Sequence, residues 1–164
     1  MFEIRRYLPD DSPYLMQLHL APMLHTGAYH GPGPWDDDLQ DVPVAYLNSG
    51  GEFLIGVLDG VAVAMGAVRR LTDTQGEIKR MRVLPEFQGR GYGRAILAAL
   101  EQFAVAAGMT TLILETGAVL VGAQQLYLSN GWVETQRGTV EGLPCIYFEK
   151  QLTSTVDGGQ GTAG

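Results

Sequence analysis

The stretch QGRGYGR, Gln88 to Arg94, sets three glycines and two arginines within seven residues. Two well-known phosphate motifs fail on spacing. GxGxxG would need glycine where Arg94 stands, and a Walker A loop would need Gly-Lys followed by Ser or Thr. What remains is a glycine-rich entry into a helix, whose first amides have no partner inside the helix and carry partial positive charge. Glycine costs a helix about 1 kcal/mol relative to alanine, so Gly91 and Gly93 at a helix start require a reason. One reason is a tight turn with close helix–sheet contact. The other is anion binding, with bare amides flanked by the cations Arg90 and Arg94 and the neutral donor Gln88.

Charge favours a small anion over a polymer. The formal charge is −7, which argues against broad nucleic-acid binding, because that affinity comes from Lys and Arg neutralising phosphates. Yet Lys79, Arg80, Arg82, Arg90 and Arg94 crowd into one short span whose only acid is Glu86. An acidic chain with one basic island points to a small polyanionic ligand held locally.

The elements that must position this stretch follow from pattern. Glu77–Leu84 reads as a strand ended by Pro85. Beyond the glycines, Ile96, Leu97, Leu100, Phe103, Ala104 and Ala107 recur at helical spacing until Gly108 caps the helix. Thr110–Glu115 is then a short β-rich run, so strand, helix and strand imply a parallel pair joined by a right-handed crossover. Upstream, Phe2–Tyr7 reads as a strand and Asp11-Ser12-Pro13 as a helix start, with a helix that Pro22 must bend or end. HTGAYHGPGPWDDDLQDVP reads as a loop around a short helix. Phe53–Leu58 and Val61–Arg69 flank Asp59-Gly60 as a hairpin. Ala123–Asn130 reads as a helix stopped by Gly131, and Trp132–Arg137 and Pro144–Lys150 as a last strand pair. The class is α/β of the α+β kind, in the order β-α-(α)-βββ-α-β-α-ββ.

With 164 residues, 46% hydrophobic and 18% charged, one packed domain over 1–152 is expected. Residues 153–164 have almost nothing to bury and are expected to form a disordered tail. The longest apolar run, Val61–Val68, is too short to span a bilayer, and no leader pattern precedes it. The reading is a soluble, cytoplasmic protein with no membrane or nucleic-acid partner. Cys145 is the only cysteine, so neither a disulfide nor a cysteine-based zinc site is expected.

MRVLPEFQGRGYGRAIL resembles the acyl-CoA-binding motif of the GNAT superfamily of N-acetyltransferases, with Gln88, Gly91 and Gly93 at its core positions. AQQLYLSNGW is similar to that superfamily's later helix–strand motif, and LETG resembles bacterial members of unassigned substrate. The likeness runs from about Phe2 to Leu152. It implies the GNAT fold: a mixed, mostly antiparallel sheet with a splayed parallel strand pair, flanked by helices. It implies acetyl-CoA as co-substrate, no metal, and a small amine or peptide amine as acceptor, and leaves room for a homodimer. The glycine stretch then becomes a cradle. Pyrophosphate would meet the amides of Gly89, Arg90, Gly91, Tyr92, Gly93 and Arg94, with Gln88 alongside. Pantetheine would lie along Met81, Arg82 and Val83.

The same resemblance assigns the chemistry. An ammonium of pKa about 10.4 leaves roughly one amine in a few thousand free at neutral pH, so a base or desolvation must act. Glu77 matches the catalytic glutamate of the histone-acetylating branch, and Glu115 on the neighbouring strand competes for that role or binds the acceptor. Tyr127 matches the tyrosine placed beside the thioester sulfur. Leu120 stands where the family often has asparagine, so one polar cofactor contact is missing. The expected reaction is direct attack in a ternary complex. The alternatives are a non-catalytic acyl-CoA-binding sensor or regulatory module and, with no docking surface to support it, transfer to a protein lysine.

Other residues invite weaker readings. His19, His25 and His30 share no helix face for metal binding. Tyr29, His30 and Trp35 are candidates for the acceptor pocket. Asp36, Asp37, Asp38 and Asp41 would attract a cationic amine, although such a run usually reads as a solvated face. Cys145 would carry acetyl only in a ping-pong scheme, and reads as packing in an apolar strand.

Overall fold

A computed structural model gives the fold and describes residues 1–29, 31 and 33–153. The expected tail therefore falls, but for residue 153, outside the described residues, as does His30. Seven strands form one sheet: β1 (Phe2–Arg6), β2 (Glu52–Leu58), β3 (Val61–Arg70), β4 (Gln75–Val83), β5 (Thr111–Gly117), β6 (Val133–Val140) and β7 (Leu143–Gln151). Their spatial order is β1-β2-β3-β4-β5-β7-β6. Every neighbouring pair is antiparallel except β4 and β5, which are parallel. The helices are α1 (Ser12–Thr26), α2 (Tyr92–Ala106) and α3 (Val121–Ser129).

Local chemistry accounts for much of this. Asp59 and Gly60 both take positive φ (50° and 85°) at the β2–β3 hairpin, as a two-residue turn with that twist requires. Residues 52–57 of β2 and 63–68 of β3 are buried without a break, the pattern of central strands covered on both faces. Gly66 of β3 allows α2 to approach: a Cβ there would lie 2.6 Å from both Ile96 Cγ2 and Met81 Sδ.

Of the outcomes left open at Pro22, helix α1 does not end there but runs on to Thr26, where Gly27 closes it at φ 75°. Proline removes one donor from the ladder, and the Thr26 hydroxyl bonds back to the Pro22 carbonyl at 3.2 Å. The glycine stretch is also not itself the first turn of α2. Gly91 is the residue before the helix, at φ 85°, Gly89 lies in the preceding turn at φ 79°, and only Gly93 falls within the helix.

The parallel pair sets up the site. β4 and β5 pair only over Gln75–Glu77 with Thr111–Ile113, and the strands part beyond. Three residues past Glu77, β4 bulges: Arg80 and Met81 together face Gly66, and Arg80 takes φ 61°. A bulge re-aims side chains. Met81 turns toward Gly66 and α2, while Arg80 projects to the opposite side, toward Asp36 and Asp38.

Candidate active site

Where β4 and β5 part, a cleft of about 1110 Å³ opens. The β4 residues Met81, Arg82 and Val83 form one wall, and Gly89, Gly91, Gly93 and Arg94 form one end. Leu120, Leu126 and Tyr127 of α3 and its approach line the far side, and Glu77 and Glu115 reach the floor. The expected site residues meet here with one exception. Arg90 does not line the cleft; its guanidinium lies over the Phe87 ring at 5.2 Å and reaches the Glu86 carbonyl at 3.5 Å.

The amides at the end of the cleft are open. The N–H groups of residues 89–94 donate to no group among the described residues, and the helical ladder resumes only with Ala95 bonding to Gly91. A Cβ at Gly89 or Gly91 would meet nothing within 4 Å, whereas one at Gly93 would make ordinary contact with Val83 and Leu126. Gly89 and Gly91 are thus required by their left-handed backbone. Six successive free donors in an open turn fit a diphosphate. Gln88 lines the cleft, but its Nε2 is engaged, donating to the Val83 carbonyl at 2.9 Å and steadying the end of β4.

Tyr127 is buried, its ring 5.8 Å from those of Trp132 and Phe148. Its hydroxyl bonds to no described residue. Burial pushes the phenol up to about 12, against the pull of the Arg82 charge. The two carboxylates differ. Glu77 is held by Arg69 at 3.0 Å. Glu115 is exposed on β5 and has no ion pair among the described residues; partial loss of hydration raises its pKa, opposed by Lys79 and aided by repulsion from Glu77.

Sequence reasoning missed a network beside the cleft. Arg80, buried, donates from Nε to Asp38 at 2.9 Å and from Nη1 to Asp36 at 3.2 Å. Asp38 also accepts from Tyr46, and Asp36 lies 3.1 Å from His19 Nε2. Asp36 and Asp38 are therefore structural partners of Arg80, not a free attractant for an amine, while Asp37 and Asp41 are exposed. Burial and the charges of Arg82 and Arg80 outweigh Asp36 and hold His19 down at about 4, so it is neutral at pH 7. The break in alternation at Arg80 is the only sequence signal of this arrangement. Tyr29 and Trp35 do line the cleft, as does Cys145 from β7. No cluster of metal-binding side chains occurs among the described residues, and no helix among them is long and apolar enough to cross a membrane.

Comparison with known proteins identifies the family and the fold. A profile described as Acetyltransferase (GNAT) family matches residues 14–132. N-acetyltransferase 8F1 of Rattus norvegicus is 30% identical over 103 residues, 60% of this chain and 47% of its own length. The N-acetylaspartate synthetase of Homo sapiens is 35% identical over 97 residues, 58% of this chain and 32% of its own. The chain thus spans less than half the length of these two relatives. A GNAT-family acetyltransferase from Staphylococcus aureus Mu50 superposes with a TM-score of 0.86 at 19% identity, over 93% of this chain and all of that one. YncA from Salmonella typhimurium, solved with its cofactor acetyl-CoA, gives 0.77 at 22%, over 94% and 95%. These likenesses are of fold.

Proposed function

The chain belongs to the GNAT family of acetyltransferases, and from that premise we propose that it moves an acetyl group from acetyl-CoA to a primary amine by direct attack within a ternary complex. The observation that carries this reading is the convergence at one cleft of a run of backbone amides, a tyrosine hydroxyl and a carboxylate of raised pKa, none with a partner among the described residues.

The amides of residues 89–94, with Arg94, would hold the diphosphate of acetyl-CoA, and the edge of β4 at Met81, Arg82 and Val83 would align its pantetheine arm. When bound, the co-substrate supplies an activated acyl thioester. The chain's own groups do the rest. Glu115 is the better base, because a carboxylate only partly hydrated and near a like charge takes a proton more readily than one bonded to a guanidinium. Glu77, fixed by Arg69, raises Glu115 by repulsion. Tyr127 holds its proton at neutral pH and donates a hydrogen bond to the leaving sulfur. The low polarity around Tyr127 strengthens that bond. A module that only bound acyl-CoA would have no use for either Glu115 or Tyr127 in this position.

The acceptor is a small amine or the amine of a peptide. The test is thiol release from acetyl-CoA with a panel of amines, amino acids and short peptides, with mass spectrometry of the product. An N-acetylated product that forms only with enzyme is expected. Tight binding of acetyl-CoA with no transfer to any class of amine would leave a binding module instead.

A further inference from the structure

Among the described residues every arginine of the sheet but Arg82 has a carboxylate partner or several carbonyls. Arg5 bonds Asp11, Arg6 bonds Glu52, Arg69 bonds Glu77, and Arg80 bonds Asp36 and Asp38. Arg70 is surrounded by the carbonyls of Gly50, Thr72, Asp73 and Ala107. Arg82 has only the carbonyl of Met81, which accepts from its Nη1 at 2.8 Å. Its Nε is closed off from solvent and bonds to nothing, and no described carboxylate lies within 4 Å of its guanidinium. Burial and the repulsion of Arg80 together pull Arg82 down to about 10. A half-buried cation with no anion among the described residues costs stability, so its place in a cleft wall calls for a ligand.

The position identifies which ligand. The groups whose charges act on Arg82 are Arg80, Tyr127, Asp36 and Asp38, and Arg82 in turn acts on His19 of α1. None belongs to residues 88–94, where the diphosphate would lie. The guanidinium therefore sits beside the reacting end of the cleft, between Tyr127 and the α1 wall. With Nη1 taken and Nε closed off, Nη2 is the donor left to a ligand entering from the cleft, and a charged N–H there matches an oxygen of a carboxylate.

We propose that Arg82 is the carboxylate-binding group of the acceptor subsite, so that the acceptor is an amino acid or another small molecule carrying both an amine and a carboxylate. This rests on the acetyl-transfer reading for the amine, but the subsite can be read without turnover. The experiment is calorimetry on the full chain saturated with coenzyme A, titrated with a panel of N-acetyl amino acids and with the matching N-acetyl amino acid amides. At least one acid should bind about tenfold or more tighter than its amide, the usual size of a hydrogen bond to a charged group. R82Q should bring acid and amide within about twofold of each other, while R82K, which keeps the charge but moves the donor, should retain part of the preference. R82Q should also melt no lower than the wild type, since it removes an unpaired half-buried charge.

Acids and amides binding equally to wild type, no binding of any acid at millimolar concentration, or a preference that survives R82Q would each overturn the proposal. If R82Q does not fold, R82K decides: an undiminished preference overturns it. Thiol release on the wild type is measured separately. Failure there with the acid preference intact removes the transfer reaction and keeps the carboxylate site.

Discussion

Replacing Tyr127 by phenylalanine removes one oxygen and little else. The ring contacts with Trp132 and Phe148 remain, and the lost hydroxyl has no partner among the described residues, so stability should change by no more than about 0.5 kcal/mol. The effect on rate follows from the phenol's acidity. Its pKa is about 12, and an alkyl thiol titrates near 8.5. Full transfer of the proton to sulfur thus runs about 3.5 units uphill, roughly 5 kcal/mol. Tyr127 is too weak an acid to give up its proton and acts as a hydrogen-bond donor. A hydrogen bond to a charged group contributes about 1.5–3 kcal/mol, so Tyr127→Phe should lower kcat roughly 10- to 150-fold. The KM for acetyl-CoA should move less, because the interaction strengthens as charge builds on sulfur. The assay is thiol release at saturating acetyl-CoA with the best amine from the panel. A kcat within about twofold of wild type would place the hydroxyl away from the leaving group, and a loss beyond about 10⁴-fold would show an obligatory acid and refute the acidity reasoning.

At Gly91, φ 85°, asparagine tolerates the left-handed backbone, so Gly91→Asn should keep affinity for coenzyme A within about fivefold, while Gly91→Glu, placing an anion at the cradle, should lose about 100-fold or more; calorimetry showing equal affinities would move the diphosphate elsewhere. Glu115→Gln should erase the acid limb of the kcat/KM profile, and Glu77→Gln should shift that limb to lower pH by removing the charge that raises Glu115; the reverse pattern would make Glu77 the base. Asp38→Ala leaves Arg80 short of its bidentate partner and should cost about 3–5 kcal/mol in urea unfolding, and a loss below about 1 kcal/mol would show that solvent or Asp36 replaces it. His19 titrates at about 4 when folded and near 6.5 when unfolded. The unfolded chain therefore takes up a proton that the native one refuses as pH falls from about 6.5 to about 4, and stability drops by roughly 3 kcal/mol across that window. His19→Gln should remove this component of the acid loss, and an unchanged pH dependence would place His19 in water.

What was legible in the sequence is what short-range chemistry controls. The left-handed turns at Gly60 and Gly108, the helical repeat from Ile96 to Ala107 and the ending of β4 before Pro85 each need only a few neighbouring residues. The glycine-rich entry into α2 was readable for that reason, although Gly91 stands before the helix rather than in its first turn. Arg80 was not, because what fixes it lies 42 to 44 residues away in the chain, and because a run of aspartates looks alike whether it meets water or a buried guanidinium. Burying those aspartates has a structural consequence for the chemistry. A non-glycine residue at φ 61° costs about 1–2 kcal/mol, and the ion pairs with Asp36 and Asp38 offset it. The bulge they hold lets Met81 pack under α2 while Arg80 and Arg82 face α1, just beyond the point where β4 leaves β5. With both nearby aspartates committed to Arg80, Arg82 is left charged and without a carboxylate. The pairing that shapes the cleft wall is thus also what leaves a cation free for a ligand.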